Sequence, residues 1–340
     1  MIIPYYIYSF IKIWKKGYQQ VNYIVLDLEW NQGTNRKYQE KPDLPFEIVE
    51  IGAIKLNEAC ELIDTFHAIV KPTVYLEINS HIEQITHVSI EDLESGINFK
   101  QAACSFLDWC GTNYRFCTWG SMDLTELQRN MTYFQLKQTL EKPLFYYNIQ
   151  KLYSICYSDG KSRISLQNAV DTLNIDKVIP FHRADADTYY TALIMQTLNM
   201  EKVKKYISVD YYHAPTSHKE EIYLTFDTYS KYVSRTFDTK EEAMTDKGVT
   251  TTSCYLCRKN IKKKIRWFSY NNHTYYSLMY CNIHGWVKGK IRIKKTDTGK
   301  LFAIKTLKIT DEEGAQQVYQ WQEEVRERRR NKRKGNELNT

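Results

Sequence analysis

Cysteine is scarce in this chain. Eight cysteines in 340 residues are too few for a disulfide framework, which excludes a small cross-linked scaffold and points to free thiols in a reducing, cytoplasmic setting. A long apolar run is also missing. The most apolar stretch, Met1 to Trp14, is interrupted by Lys12, falls short of the ~20 residues a spanning helix needs, and is followed by no small-residue cleavage site. Residues 1–20 therefore read as an extension rather than an anchor or a signal peptide, and no membrane partner is expected. Internal repeats are absent as well. What is present, 43% hydrophobic and 26% charged residues with a mean hydropathy of −0.54, describes a folded chain rather than a disordered or membrane-embedded one.

Length favours two modules, one with a sizeable core. The formal charge of +7 raises the prospect of a polyanionic partner, but the average conceals a strong asymmetry. Residues 1–250 hold 26 basic and 32 acidic groups, residues 251–310 hold 14 against one, and the last thirty hold seven of each. Strand-like and helix-like segments alternate from about 21 to 200, as in an α/β domain. Tyr23–Leu28, Ile48–Leu56, Ile63–Val70 and Arg115–Trp119 read as strands. Asp123–Leu136, Ser165–Leu173 and Thr188–Leu198 carry helical spacing. Residues 201–250 read as a linker with one short helix capped by Asp238, with Glu241 three positions on. Residues 251–310 form a Cys/His-bearing module, and 311–340 a charged tail that is helical or disordered.

Three segments place acids where a plain fold has no use for them. In "YIVLDLEWNQG", strand alternation puts Asp27 and Glu29 on one face, a few ångströms apart, with Leu28 on the other. Such a pair reads equally as a solvated face or as ligands for a cation. In "FCTWGSMDLTEL", Asp123 falls in the first turn of a helix, where the macrodipole alone would also favour an acid. In "FHRADADTYYTALI", His182 precedes a helix and Asp187 lies in its first turns. Asp185 competes with Asp187 for the role. Taken together, four carboxylates at strand and helix ends supply the oxygen ligands that two hard divalent cations require.

These segments resemble the three motifs of the DEDDh (DnaQ-like) 3′–5′ exonucleases, in order and in separation, over roughly residues 21–200. "EIVEIGAIKL" resembles the family's second strand, and "QITHVSIEDL" stands where the family has a Thr-Gly loop, with Thr86-His87 as a departure. A histidine five positions before the last Asp implies the His subgroup, and Trp30 after "DLE" is closer to Eri-like and KapD-like members, often directed at RNA. The resemblance implies an RNase H-like mixed sheet flanked by helices. It also implies two Mg²⁺ or Mn²⁺ ions held by Asp27, Glu29, Asp123 and Asp187, and His182 as general base. An imidazole titrates near neutrality and so can take a proton from water.

A second constellation is of another kind. Cys254-x2-Cys257 and Cys281-x2-His284, separated by 23 residues, offer three thiolates and one imidazole, which satisfy one tetrahedral structural Zn²⁺ with no open position. The intervening "IRWFSYNNHTYYSLMY" reads as a hairpin turning at Asn271-Asn272, so a small C-terminal β-rich zinc ribbon is expected. His273, in the turn, is set aside as a ligand. Within the ribbon, Lys262, Lys263, Lys264, Arg266, Lys288, Lys290 and Arg292 interleave with Trp267 and other aromatics. Cations for phosphates and rings for unpaired bases make these residues, with Trp30, the expected nucleic-acid contacts; the alternative is that several aromatics form the ribbon's core. The leading reading is a two-metal 3′–5′ exonuclease on single-stranded nucleic acid, RNA preferred. The alternatives are a DNA exonuclease of repair or proofreading, and a binding scaffold without catalysis.

Overall fold

In a computed structural model of the chain, residues 21–33, 41–77 and 90–337 are described. The expected extension over residues 1–20 and the Thr86-His87 pair lie outside them. The described residues divide into two compact units, one ending at Tyr212 and one starting at His213.

The first unit is built on a six-stranded mixed sheet of order β3-β2-β1-β4-β5-β6. Strands β1 (Asn22–Asn31), β2 (Glu47–Leu56) and β3 (Leu62–Ile69) form an antiparallel meander. Strand β4 (Tyr114–Thr118) lies parallel to β1, β5 (Phe145–Asn148) parallel to β4, and β6 (Ser208–Val209) antiparallel to β5. The helices are α1 (Ile90–Ser95), α2 (Phe99–Cys110), α3 (Met122–Tyr133), α4 (Ile149–Tyr157), α5 (Leu166–Thr172), α6 (Ala184–Thr197) and the short α7 (Met200–Val203). Several start where a side-chain oxygen caps a free amide: Asn98, Asn148 and Ser165 accept from Gln101, Lys151 and Asn168.

Alternation along β1 divides its side chains between two cores. Ile24, Leu26 and Leu28 pack with Phe106 of α2 and Leu124 and Leu127 of α3. Tyr23 and Val25 pack on the other face with Leu152 of α4, Val170 of α5, and Tyr190 and Ile194 of α6. This is the RNase H-like mixed sheet flanked by helices that the motifs imply. Asp27 and Glu29 continue the row of Tyr23 and Val25, so they emerge on the α6 side.

The second unit is an antiparallel sheet of order β7-β8-β12-β11-β10-β9. Its strands are β7 (Ile222–Thr225), β8 (Tyr229–Phe237), β9 (Lys262–Ser269), β10 (Thr274–Cys281), β11 (Gly285–Lys295) and β12 (Leu301–Thr310). The hairpin turn at Asn271-Asn272 is present between β9 and β10. Residues 201–250, read as a linker, instead supply β7 and β8, and β8 pairs with β12 far along the chain. Such a pairing leaves no local trace, and Lys231 and Arg235 make β8 look like loop. Helix α8 (Lys240–Thr245) is capped by Thr239 rather than Asp238, whose backbone N–H donates to Glu242. Helix α9 (Lys247–Thr250) follows, and the tail is helical, as α10 (Glu312–Glu337). One face of the sheet buries Tyr232, Phe237, Ile291 and Ala303 against Ala243 and Val249. The other buries Ile265, Tyr276 and Leu278 under Ala315, Val318 and Trp321 of α10.

Candidate active site and zinc cluster

The first acidic pair stands where the sheet opens. The β1–β4 register ends at Val25–Cys117, so β1 runs on without β4, and the backbone N–H of Leu28 donates to the Asp123 carboxylate instead. Asp123 arrives there through the turn at Gly120, whose φ of 122° suits glycine. Thr118 and Asn148 both donate to the Gly120 carbonyl, at 2.9 and 2.8 Å, and hold that turn. Asn130 of α3 accepts from Ile48 and donates to Phe46, which ties the helix carrying Asp123 to the start of β2.

Asp187 reaches the same place because α6 rests directly on β2. Opposite Asp27 in the ladder is Gly52, where an added Cβ would lie 2.3 Å from the Ala184 backbone. Thr188 donates to the Gly52 carbonyl at 3.1 Å. Ligand oxygens of Asp27, Glu29 and Asp187 consequently lie within 4.8 Å of one another. His182 is exposed just ahead of the helix, with a left-handed φ of 68°, and its backbone N–H donates to Asp187 Oδ1 at 3.3 Å. The structure thus gathers Asp27, Glu29, Asp187 and His182, with Asp123 buried beside Asp27.

Burial and mutual repulsion both act against ionisation here. Burial, then Asp123, Glu29 and Asp187, push Asp27 well above the ordinary carboxylate range. Burial and the charges of Asp187 and Glu50 raise Glu29 to about 8. Burial raises Asp123 to about 7, against the pull of its backbone hydrogen bonds, and raises Asp187 to about 6. A set of oxygens this crowded and this reluctant to ionise fits hard divalent cations, whose charge reverses the penalty.

Sequence reading missed three residues that build this site. Glu50, fully buried opposite Glu29, accepts both Nε and Nη2 of Arg183 at 3.1 and 2.9 Å and lies 2.6 Å from Nε2 of His67. Burial raises its pKa, but these partners outweigh burial and leave it below the ordinary value. Arg183 follows His182 directly, so the pair anchors the loop that presents the imidazole. Gly52 is the third. A carboxylate and a glycine side by side with aliphatic residues in the first half of "IVEIGAIKL" were the available signals.

In the second unit, the four expected zinc ligands converge. Cys254 Sγ lies 3.5 Å and Cys281 Sγ 3.7 Å from His284 Nδ1, and Cys257 Sγ 3.7 Å from Cys281 Sγ. A tetrahedral ion with Zn–S bonds of ~2.3 Å demands edges of about 3.8 Å between sulfurs, so the donor set fits. Burial opposes the Cys281 thiolate, but the amides of Ile283 and His284 outweigh it and pull the thiol to about 6. His273 takes no part in the cluster.

The expected nucleic-acid contacts divide. Lys262, Lys263, Lys264, Arg266 and Arg292 are exposed. Trp267 is partly buried: its indole N–H donates to Thr250 at 2.9 Å, and its ring occupies the space over Gly289. Lys288 is held by Gln317 at 2.9 Å and lies 4.2 Å from the Trp321 ring centre, while Lys290 is half-buried over Tyr276. Both lie under α10, whose return across the sheet no local pattern announces. Trp30 is half-buried, 5.5 Å from the Phe46 ring.

The family model for RNase T exonucleases matches residues 24–195. Comparison with curated proteins finds no match. Among solved structures, the nuclease domain of 3'hExo, a DEDDh family member bound to rAMP, is 22% identical with a TM-score of 0.48, over 57% of this chain and 98% of that one. Cell-death related nuclease 4 (CRN-4) is 16% identical with a TM-score of 0.46, over 58% and 73%. A zinc-bound E. coli ExoI–ssDNA complex is 15% identical with a TM-score of 0.44, over 54% and 41%.

Proposed function

Because the chain belongs to the RNase T family of exonucleases, we propose that it releases 5′-mononucleotides stepwise from the 3′ end of single-stranded RNA, in preference to DNA, with His182 as general base. As a DEDDh 3′–5′ exonuclease it is a phosphodiester hydrolase that acts on nucleic acid and uses divalent metal. The convergence of Asp27, Glu29 and Asp187 beside His182 carries the proposal. The RNA preference rests on the "DLEW" segment, Asp27 to Trp30, which resembles Eri-like and KapD-like members. The free cysteines support a reducing, cytoplasmic setting.

Asp27, Glu29 and Asp187 would hold metal, with Asp123 completing the set. When bound, two Mg²⁺ or Mn²⁺ ions supply Lewis acidity for the attacking water and for the departing 3′-oxygen. His182, exposed at the rim, takes the proton of the water that attacks phosphorus in line. The Glu50–Arg183 pair holds the loop that carries His182, whose backbone N–H donates to Asp187. In the second unit, Cys254, Cys257, Cys281 and His284 form a closed zinc site whose role is structural.

Matched 5′-labelled RNA and DNA, single-stranded and duplex, incubated with Mg²⁺ or Mn²⁺, test the proposal. Stepwise shortening from the 3′ end, faster on single-stranded RNA and lost in Asp27→Asn, is expected. Equal or faster DNA turnover would refute the RNA preference. Full activity in Asp27→Asn would refute the site.

A further inference from the structure

The second unit has a groove that neither the catalytic set nor the zinc cluster uses. It is an open trough between the β9–β10 turn and the later turns of α10, with a volume of about 730 Å³, lined by Tyr270, Asn271, His273, Arg328, Arg329 and Lys332 among others. Among the described residues, no acidic side chain lines it. Lys332 lies four and three positions after Arg328 and Arg329, so it neighbours both on one side of α10. None of the three forms an ion pair among the described residues, although the same helix carries acids and pairs Arg326 with Glu323.

Beyond the groove, the same face of the sheet carries further cations. Thr274, on the groove wall, faces Arg292 across the β10–β11 ladder, and Tyr276 faces Lys290. Lys290 faces Thr306, which faces Lys231. These side chains occupy one face, and their charges are felt across it: burial, then Lys294 and Arg292, push the Lys231 ammonium down to about 8. Tyr270 stands at the head of the strip with the Arg328 guanidinium 5.3 Å from its ring centre. Cations at intervals along a trough, beside an aromatic ring and turn amides, match a charged backbone with attached bases.

We propose that this groove, with the adjoining Arg292 and Lys290, binds the phosphodiester backbone of a single-stranded nucleic acid. The inference builds on the proposed exonuclease reading and assigns the second unit's contact surface to Arg328, Arg329 and Lys332 rather than to Trp267.

The test uses full-length protein in an Asp27→Asn background, with labelled U20 and dT20 oligonucleotides and anisotropy measured over a salt series. Replacing Arg328, Arg329 and Lys332 by Ala should weaken binding by about tenfold or more and flatten the log K against log salt slope by about 2. Arg328→Lys with Arg329→Lys should keep the slope, because charge is retained. Arg329→Glu with Lys332→Glu provides a second route should the Ala variant lose its native melting transition. Unchanged affinity and slope in folded variants would overturn the proposal, as would tight binding of polyglutamate that depends on the three residues while oligonucleotide binding does not. Hydrolysis by the otherwise unaltered chain is measured in parallel. Its absence would count against the exonuclease reading, whereas its presence with unaltered variant binding would count against the groove alone.

Discussion

His182 holds a backbone conformation that ordinary side chains avoid, and this makes a clean test of its chemistry possible. Asn tolerates left-handed φ better than most residues, so His182→Asn should fold and bind metal like the parent while losing hydrolysis by 10²-fold or more. Parent-like turnover by that variant would remove His182 from the mechanism. Gly52 makes the opposite demand. Its missing Cβ lets Ala184 sit on the strand, so Gly52→Ala should push the first turn of α6 off β2. A loss of activity and a lower melting temperature are expected together, and an active, equally stable variant would contradict the close approach. The carboxylates make a prediction in pH. Asp187, Asp123 and Glu29 titrate near 6, 7 and 8 in the metal-free fold, above their unfolded values of ~4. The folded state therefore holds extra protons, and the stability they contribute, complete below pH ~4, is lost as pH rises through 6 to 8. Added Mg²⁺ should offset that loss. The gap between melting temperatures with and without Mg²⁺ should widen from pH 5 to 8.5, and a constant gap would refute the assignment.

Among the elements, α6 and the β9–β10 hairpin do the most positioning. Helix α6 carries Asp187, and the loop before it carries His182. Its docking is secured by Gly52, Thr188 and the Arg183–Glu50 pair. Glu50→Gln keeps the shape but removes the charge that holds Arg183, so kcat should fall several-fold while Mg²⁺ affinity changes little; wild-type kcat would show that Arg183 needs no such anchor. The hairpin should depend on the zinc proposed for the cluster of Cys254, Cys257, Cys281 and His284. Cys254 and Cys281 are buried with Met279, Val287 and Leu307, and an ion held by the cluster would tie the turn before β9 to the end of β10. A competing chelator should strip amide-exchange protection from β9 and β10 first. Unchanged protection in metal-depleted protein would argue against a structural ion.

Charge is segregated over the whole molecule. The chain up to residue 250 is net acidic, and the excess of Lys and Arg lies in 251–310. The four carboxylates and His182 all precede Tyr212, where the first unit ends. A fragment ending at Tyr212 should therefore retain metal-dependent hydrolysis with a raised KM and a shallower salt dependence. Loss of hydrolysis by a folded fragment would mean that the second unit contributes to the chemistry itself.

Much of the catalytic set was legible because its signals are local. Strand alternation puts Asp27 and Glu29 on one face whatever else the chain does, and five positions separate His182 from Asp187 in any fold. The paired spacing of Cys254, Cys257, Cys281 and His284 is just as local, since each pair chelates from a single turn. The rest depended on contacts between residues distant in the chain. Glu50 meets Arg183, β8 meets β12, and α10 returns over the sheet to cover Tyr276 and hold Lys288 through Gln317. A linear pattern records which face of an element is apolar, and it is silent about which partner covers that face. Backbone pairing and packing across such distances decided that Trp267 packs partly against the core, that a charged strand completes the second sheet, and that Arg328, Arg329 and Lys332 gather beside Tyr270.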